Sequence, residues 1–175
     1  MSAANSAQRT LLLIAALFLT PFLVAVALRF GGWQPGKTRN YGDLLAPPLS
    51  LERMQAERND GSDWAFVNRE QRWTLLLRLP APCDAVCLEP VTALPNVKLS
   101  LGRQAHRLHL FALTDVAPLD GIDPLHLEGE LPAPLREPPV APEVYLVDPH
   151  GYLVLHYPPG FAPRELRRDL SRLIK

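Results

Sequence analysis

This chain is poor in cysteine, and the two it has stand together as Cys83-Asp84-Ala85-Val86-Cys87. Any thiol chemistry is therefore confined to one stretch. An excess of either charge is also missing: 18 Lys and Arg face 18 Asp and Glu, and beyond residue 30 the count is 16 basic against 18 acidic. That balance speaks against the basic footprint of a nucleic-acid partner. There is no internal repeat and no low-complexity tract apart from the proline cluster Pro132, Pro134, Pro138, Pro139 and Pro142. A solenoid or array is thereby excluded.

Charge is absent altogether from Leu11 to Leu28, an apolar run interrupted only by Thr20 and Pro21. Such a run spans about 27 Å at the helical rise, close to the thickness of a bilayer core, and a proline is tolerated inside a membrane helix. The sequence therefore predicts a cytoplasmic tail and membrane anchor over 1–30, a linker and irregular segment over 31–60, and one domain over 61–175. A cleaved signal peptide is the competing reading, since Ala25-Val26-Ala27 resembles a small-residue cleavage site. The length of the run favours an anchor. Arg9 precedes it while Arg29, Lys37 and Arg39 follow it, so flanking charge does not favour an exported domain. Paired thiols behind an anchor argue the other way, because they serve an oxidising compartment. The expected placement is single-pass in the inner (cytoplasmic) membrane, with the C-terminal domain facing the periplasm.

Trp73 to Leu79 reads as a buried strand. A helix is expected from Cys83 to about Leu94, ended near Pro95, with 99–106 continuing helically. His106 to Leu113 is expected to form a second strand, and 114–141 a long proline-rich connection with a short helical piece. Val144-Tyr145-Leu146-Val147 and Tyr152-Leu153-Val154-Leu155 flank Asp148-Pro149-His150-Gly151, whose proline and glycine mark a tight hairpin turn. Pro163 opens a last helix in which Leu166, Leu170 and Ile174 form one apolar stripe.

On a helix, positions i and i+4 share a face, so Cys83 and Cys87 would approach to roughly 6 Å between Cα atoms, within reach of a disulfide. Three uses follow. The pair can exchange disulfides, with Cys83 attacking and Cys87 resolving, because Cys83 stands nearer the helix start. Reduced, its two thiolates can hold one soft ion such as Cu(I). It can also be a purely structural bridge. Among the five histidines, His106 and His109 fall on opposite faces of a strand and His150 and His156 belong to the hairpin. His126, in the long connection, is the remaining candidate for a third ligand.

The order of strand, CxxxC helix, strand, connection, hairpin and helix is that of an α/β, thioredoxin-like domain. With Cys83 and Cys87 after an apolar strand and Tyr145-Leu146-Val147-Asp148-Pro149-His150-Gly151 further on, the chain resembles the membrane-anchored Sco/SenC proteins of cytochrome c oxidase assembly. The resemblance implies a thioredoxin fold outside the membrane and either copper delivery to the oxidase copper site or reduction of its thiols. The implied partners are an oxidase subunit or a copper chaperone. The family's metal-binding histidine would fall near Val140, where this chain has none. Instead Pro142 stands three residues before Tyr145, where thioredoxin-like oxidoreductases carry a cis proline facing their cysteines. The resemblance thus implies a cis Ala141–Pro142 bond, with a trans proline starting an edge strand as the alternative, and weight shifts from copper towards dithiol chemistry.

Overall fold

The structure is a computed structural model and describes residues 2–31, 40–113 and 119–175, without the side chains of 2–7. It divides into two units, Met1–Thr38 and Arg39–Lys175.

The first unit is one helix, α1 (Ser2–Phe30), in which Gln8–Phe30 is long and apolar enough to cross a membrane. Within it the Thr20 hydroxyl donates to the Ala16 carbonyl at 2.6 Å. A hydroxyl satisfied inside its own helix adds no unpaired polar group to an apolar span.

The second unit holds a seven-stranded mixed sheet, β1 (Asp43–Ser50), β2 (Gln55–Arg58), β3 (Trp73–Arg78), β4 (Leu108–Leu113), β5 (Asp123–Glu128), β6 (Glu143–Val147) and β7 (Tyr152–Tyr157), in the order β1-β7-β6-β3-β4-β5-β2. The central β3 is parallel to β4 and antiparallel to β6. The hairpin β6–β7 closes through Asp148, whose carboxylate accepts from the amides of His150 and Tyr152 at 3.0 and 2.8 Å. Gly151 takes a φ of +79°, and a Cβ there would stand 3.0 Å from Val67. The turn read from the sequence is thus chemically specified.

Two expectations are corrected. Residues 31–60 are not all linker, because 43–58 carry β1 and β2. Pro47 and Pro48 break the β1–β7 register between Leu44 and Leu49, which a proline-bearing edge strand can accommodate. The connection expected over 114–141 holds β5 as well as the short helix α4 (Ala133–Arg136).

Side chains alternate across β3 and build a core on each face. Leu75, Leu77 and Leu79 pack with Val91, Leu94 and Val97, with Leu166 and Leu170 from α5 (Pro163–Leu173), and with Ile174 that follows it. The apolar stripe read in the last helix is this buried face. Asp169 on the same helix is fully buried and accepts from the amides of Tyr41 and Gly42 at 2.7 and 3.1 Å and from the Tyr157 hydroxyl at 3.0 Å. Gly42 is needed there, since a Cβ would stand 2.8 Å from the Tyr157 ring.

On the other face Leu76 packs with Phe111, Tyr145, Leu153 and Trp64. Trp64 lies 4.7 Å from both the His109 and Phe111 rings, under the Arg72 guanidinium at 5.0 Å. Burial lowers the His109 pKa to about 4, and the positive charges of Lys98, Arg72 and Arg58 push the same way. Below pH 6.5 the unfolded chain then binds a proton that the folded one refuses. Stability is expected to fall as pH drops from about 6.5 towards 4. Urea midpoints across that range check this: His109→Leu should flatten the dependence, and an unchanged slope would refute the assignment.

Candidate functional site

The cysteines follow the C-terminal end of β3, the central strand. Asp84 caps the helix α2 (Ala85–Leu88), its carboxylate accepting from the Cys87 amide at 2.9 Å. Cys83 therefore stands just ahead of the cap and Cys87 in the first turn. The two sulfurs form a disulfide with a Cα–Cα separation of 5.4 Å, in the range where the bridge forms without backbone distortion. Both cysteines are half-buried, Cys83 resting on the core that Leu75 and Leu77 belong to and Val86 between them 76% exposed. The bridge is anchored on its inner side and open to solvent at the tip of its loop.

The helix differs from the one read in the sequence. Expected from Cys83 to Leu94, it is one turn at α2, a set of turns, and then α3 (Leu94–Leu99). Pro90 is the cause: although Glu89 before it keeps helical backbone, Pro90 has no amide to continue the hydrogen-bond ladder. Pro95, expected to end the helix, lies in the first turn of α3, where a missing amide costs nothing. A single turn has little dipole, so the helix-start argument for a reactive Cys83 loses most of its force.

Pro142 is buried at the start of β6, and the register Arg78↔Glu143 puts it at the same end of the sheet as the cysteines. Its peptide bond is trans. The cis bonds among the described residues are Ala46–Pro47 and Ala81–Pro82, the second immediately before Cys83.

No third ligand joins the sulfurs among the described residues. Among the described residues no group of three or more His, Cys, Asp or Glu side chains can hold a metal ion. His126 lies on β5 with Glu57 of β2 as its register partner, instead of in a mobile connection. His156 is held by Glu143, its Nε2 3.0 Å from Oε2, on the face opposite the one where Cys83 packs. Among the described residues, the donors at this site after reduction are the two thiolates, a set that fits Cu(I) and lacks the imidazole a stable Cu(II) centre wants.

The sequence reading missed an ionic cluster on the opposite face at this end of the sheet. Arg78 donates to Glu143 Oε1 at 2.7 Å, to the Pro134 carbonyl at 2.8 Å and to the Glu137 carbonyl. The Tyr145 hydroxyl donates to the Pro134 carbonyl at 3.2 Å, and its ring stacks on His156 at 4.5 Å. Burial, aided by the Glu143 carboxylate, raises the Tyr145 pKa and keeps that donor protonated. Arg78 thus ties residues 134–137 to the sheet. Beside it a cleft of about 570 Å³, floored by Leu125 and Leu135 and walled by Pro138 and Pro139, runs to Ala81, two residues before Cys83. The signal available was a charge ending one buried strand (Arg78) and another starting its neighbour (Glu143).

A family model described as a transmembrane-like, thioredoxin-like, C-terminal domain matches residues 73–175. No curated protein and no solved structure matches the chain.

Proposed function

We propose, from the premise that this chain belongs to the transmembrane-like, thioredoxin-like C-terminal domain family, that it is a membrane-anchored protein of thiol–disulfide exchange. The observation that carries this reading is the half-exposed Cys83–Cys87 pair at the end of the central strand, joined as a disulfide across a five-residue loop. In the reduced protein the Cys83 thiolate attacks one sulfur of a partner disulfide, and the partner's other sulfur leaves as a thiolate. Cys87 then attacks Cys83, the mixed bond breaks, and the partner is released as a dithiol. Two electrons have passed to the partner and the Cys83–Cys87 disulfide is formed, to be re-reduced by an upstream dithiol.

The narrower proposal follows the Sco/SenC resemblance. The domain faces the periplasm from the inner membrane, and the disulfide it reduces belongs to a cytochrome c oxidase subunit or to a copper chaperone that loads it. A second reading, Cu(I) carried between the reduced Cys83 and Cys87, is favoured by the 5.4 Å approach of the two residues. Cu(I) titration of the reduced protein separates the two readings.

The reduction potential of the pair tests exchange directly. Equilibration with glutathione buffers should place it between about −270 and −120 mV, the span of known exchange proteins. A value below about −300 mV would assign the bridge to the inert structural class and overturn the proposal.

A further inference from the structure

Charge is balanced over the whole chain yet segregated in the folded domain. Residues 94–107, which form α3 and the following 3-10 turn (Gly102–Arg107), contain Lys98, Arg103 and Arg107 and no acidic residue. α5 and the two residues after it carry Arg164, Arg167, Arg168, Arg172 and Lys175 against Glu165 and the buried Asp169. These segments form one surface: α3 packs on α5, and Arg107 donates to the Lys175 carbonyl. Leu99 and Leu173 stand among the basic side chains, 69% and 36% exposed. The acidic counterpart lies elsewhere, around a hollow of about 400 Å³ rimmed by Glu52, Glu57, Asp63 and Glu128 at the β2 edge.

We propose that this α3–α5 face docks the domain on a surface of anionic phospholipid headgroups. The inference does not depend on the exchange chemistry. Clustered Lys and Arg are drawn to an anionic leaflet within about a Debye length of it, and exposed leucines beside them can enter the headgroup boundary. The same face holds Tyr41, which gives its amide to Asp169 at 2.7 Å and accepts from Arg168 through its hydroxyl at 2.8 Å.

The test uses the full chain in nanodiscs of phosphatidylcholine alone or with phosphatidylglycerol, read by amide hydrogen exchange. Amides of 99–107 and 163–175 should exchange about tenfold more slowly in the anionic discs, and the difference should vanish near 0.5 M salt, where the Debye length is only a few ångströms. The variant Arg103→Glu/Arg164→Glu/Arg167→Glu changes only exposed side chains. It should lose the protection while its Cys83–Cys87 potential stays unchanged, which shows that the fold is kept. Equal exchange in both kinds of disc, protection that survives the triple substitution, or protection that appears only when an acidic protein is added would each overturn the proposal.

Discussion

Cells making the Cys87→Ser protein should accumulate a mixed disulfide through Cys83, whereas Cys83→Ser should accumulate none, and either change should abolish turnover. Serine cannot complete the bridge, so the two-electron step stops halfway. Resolution by Cys87 is intramolecular, and the 5.4 Å approach of the two Cα atoms places it where no outside thiol competes. Loss of such an oriented neighbour should slow release of the mixed disulfide by at least about a thousandfold. The variants should still fold. A bridge closing a five-residue loop contributes about 2 kcal/mol by loop entropy, well within what a domain of this size can lose. Non-reducing gels with mass spectrometry of the trapped species give the readout. Equal adducts on both variants would contradict the order of attack, and none on either would remove exchange itself. A trapped oxidase subunit or copper chaperone would support the narrower proposal, and an unrelated partner would refute it while leaving exchange intact.

Glu143→Ala should be the most destabilising single substitution near the site, lowering unfolding free energy by about 3–5 kcal/mol. The Arg78 and Glu143 side chains are 8% and 11% exposed and meet at 2.7 Å. Removing the carboxylate leaves a buried guanidinium with carbonyls alone as partners, and frees His156 from its contact at 3.0 Å. Replacing both ions together, as Arg78→Met/Glu143→Leu, should recover much of the loss, because the cost comes from the uncompensated charge more than from the missing pair. Urea unfolding measures both: the midpoint should fall while the slope stays constant. A loss below about 1 kcal/mol, the range of exposed pairs, would show that the cluster does not lock the 134–137 segment.

What the sequence by itself determined is whatever depends on local pattern. An uncharged apolar run is a helix long enough for a bilayer wherever it sits. Trp73 to Arg78 is a strand around the apolar run Leu75-Leu76-Leu77, and β6–β7 is a hairpin because Asp148, Pro149 and Gly151 each meet a demand of the turn. The approach of Cys83 to Cys87 is fixed by a spacing of four residues. Where competing local signals met, the reading failed. Pro90 ended a helix credited to Pro95, and Pro47-Pro48 hid an edge strand that the sheet tolerates through a break in register. Gln55–Arg58 has no apolar pattern to announce a strand, and becomes one because β5 offers it a partner. The trans bond at Pro142, the burial of Arg78 against Glu143, and the gathering of scattered basic residues onto one face were decided by tertiary structure alone. Each depends on which strands and helices become neighbours, and residues 65 positions apart, such as Arg78 and Glu143, meet only once the sheet has set their register.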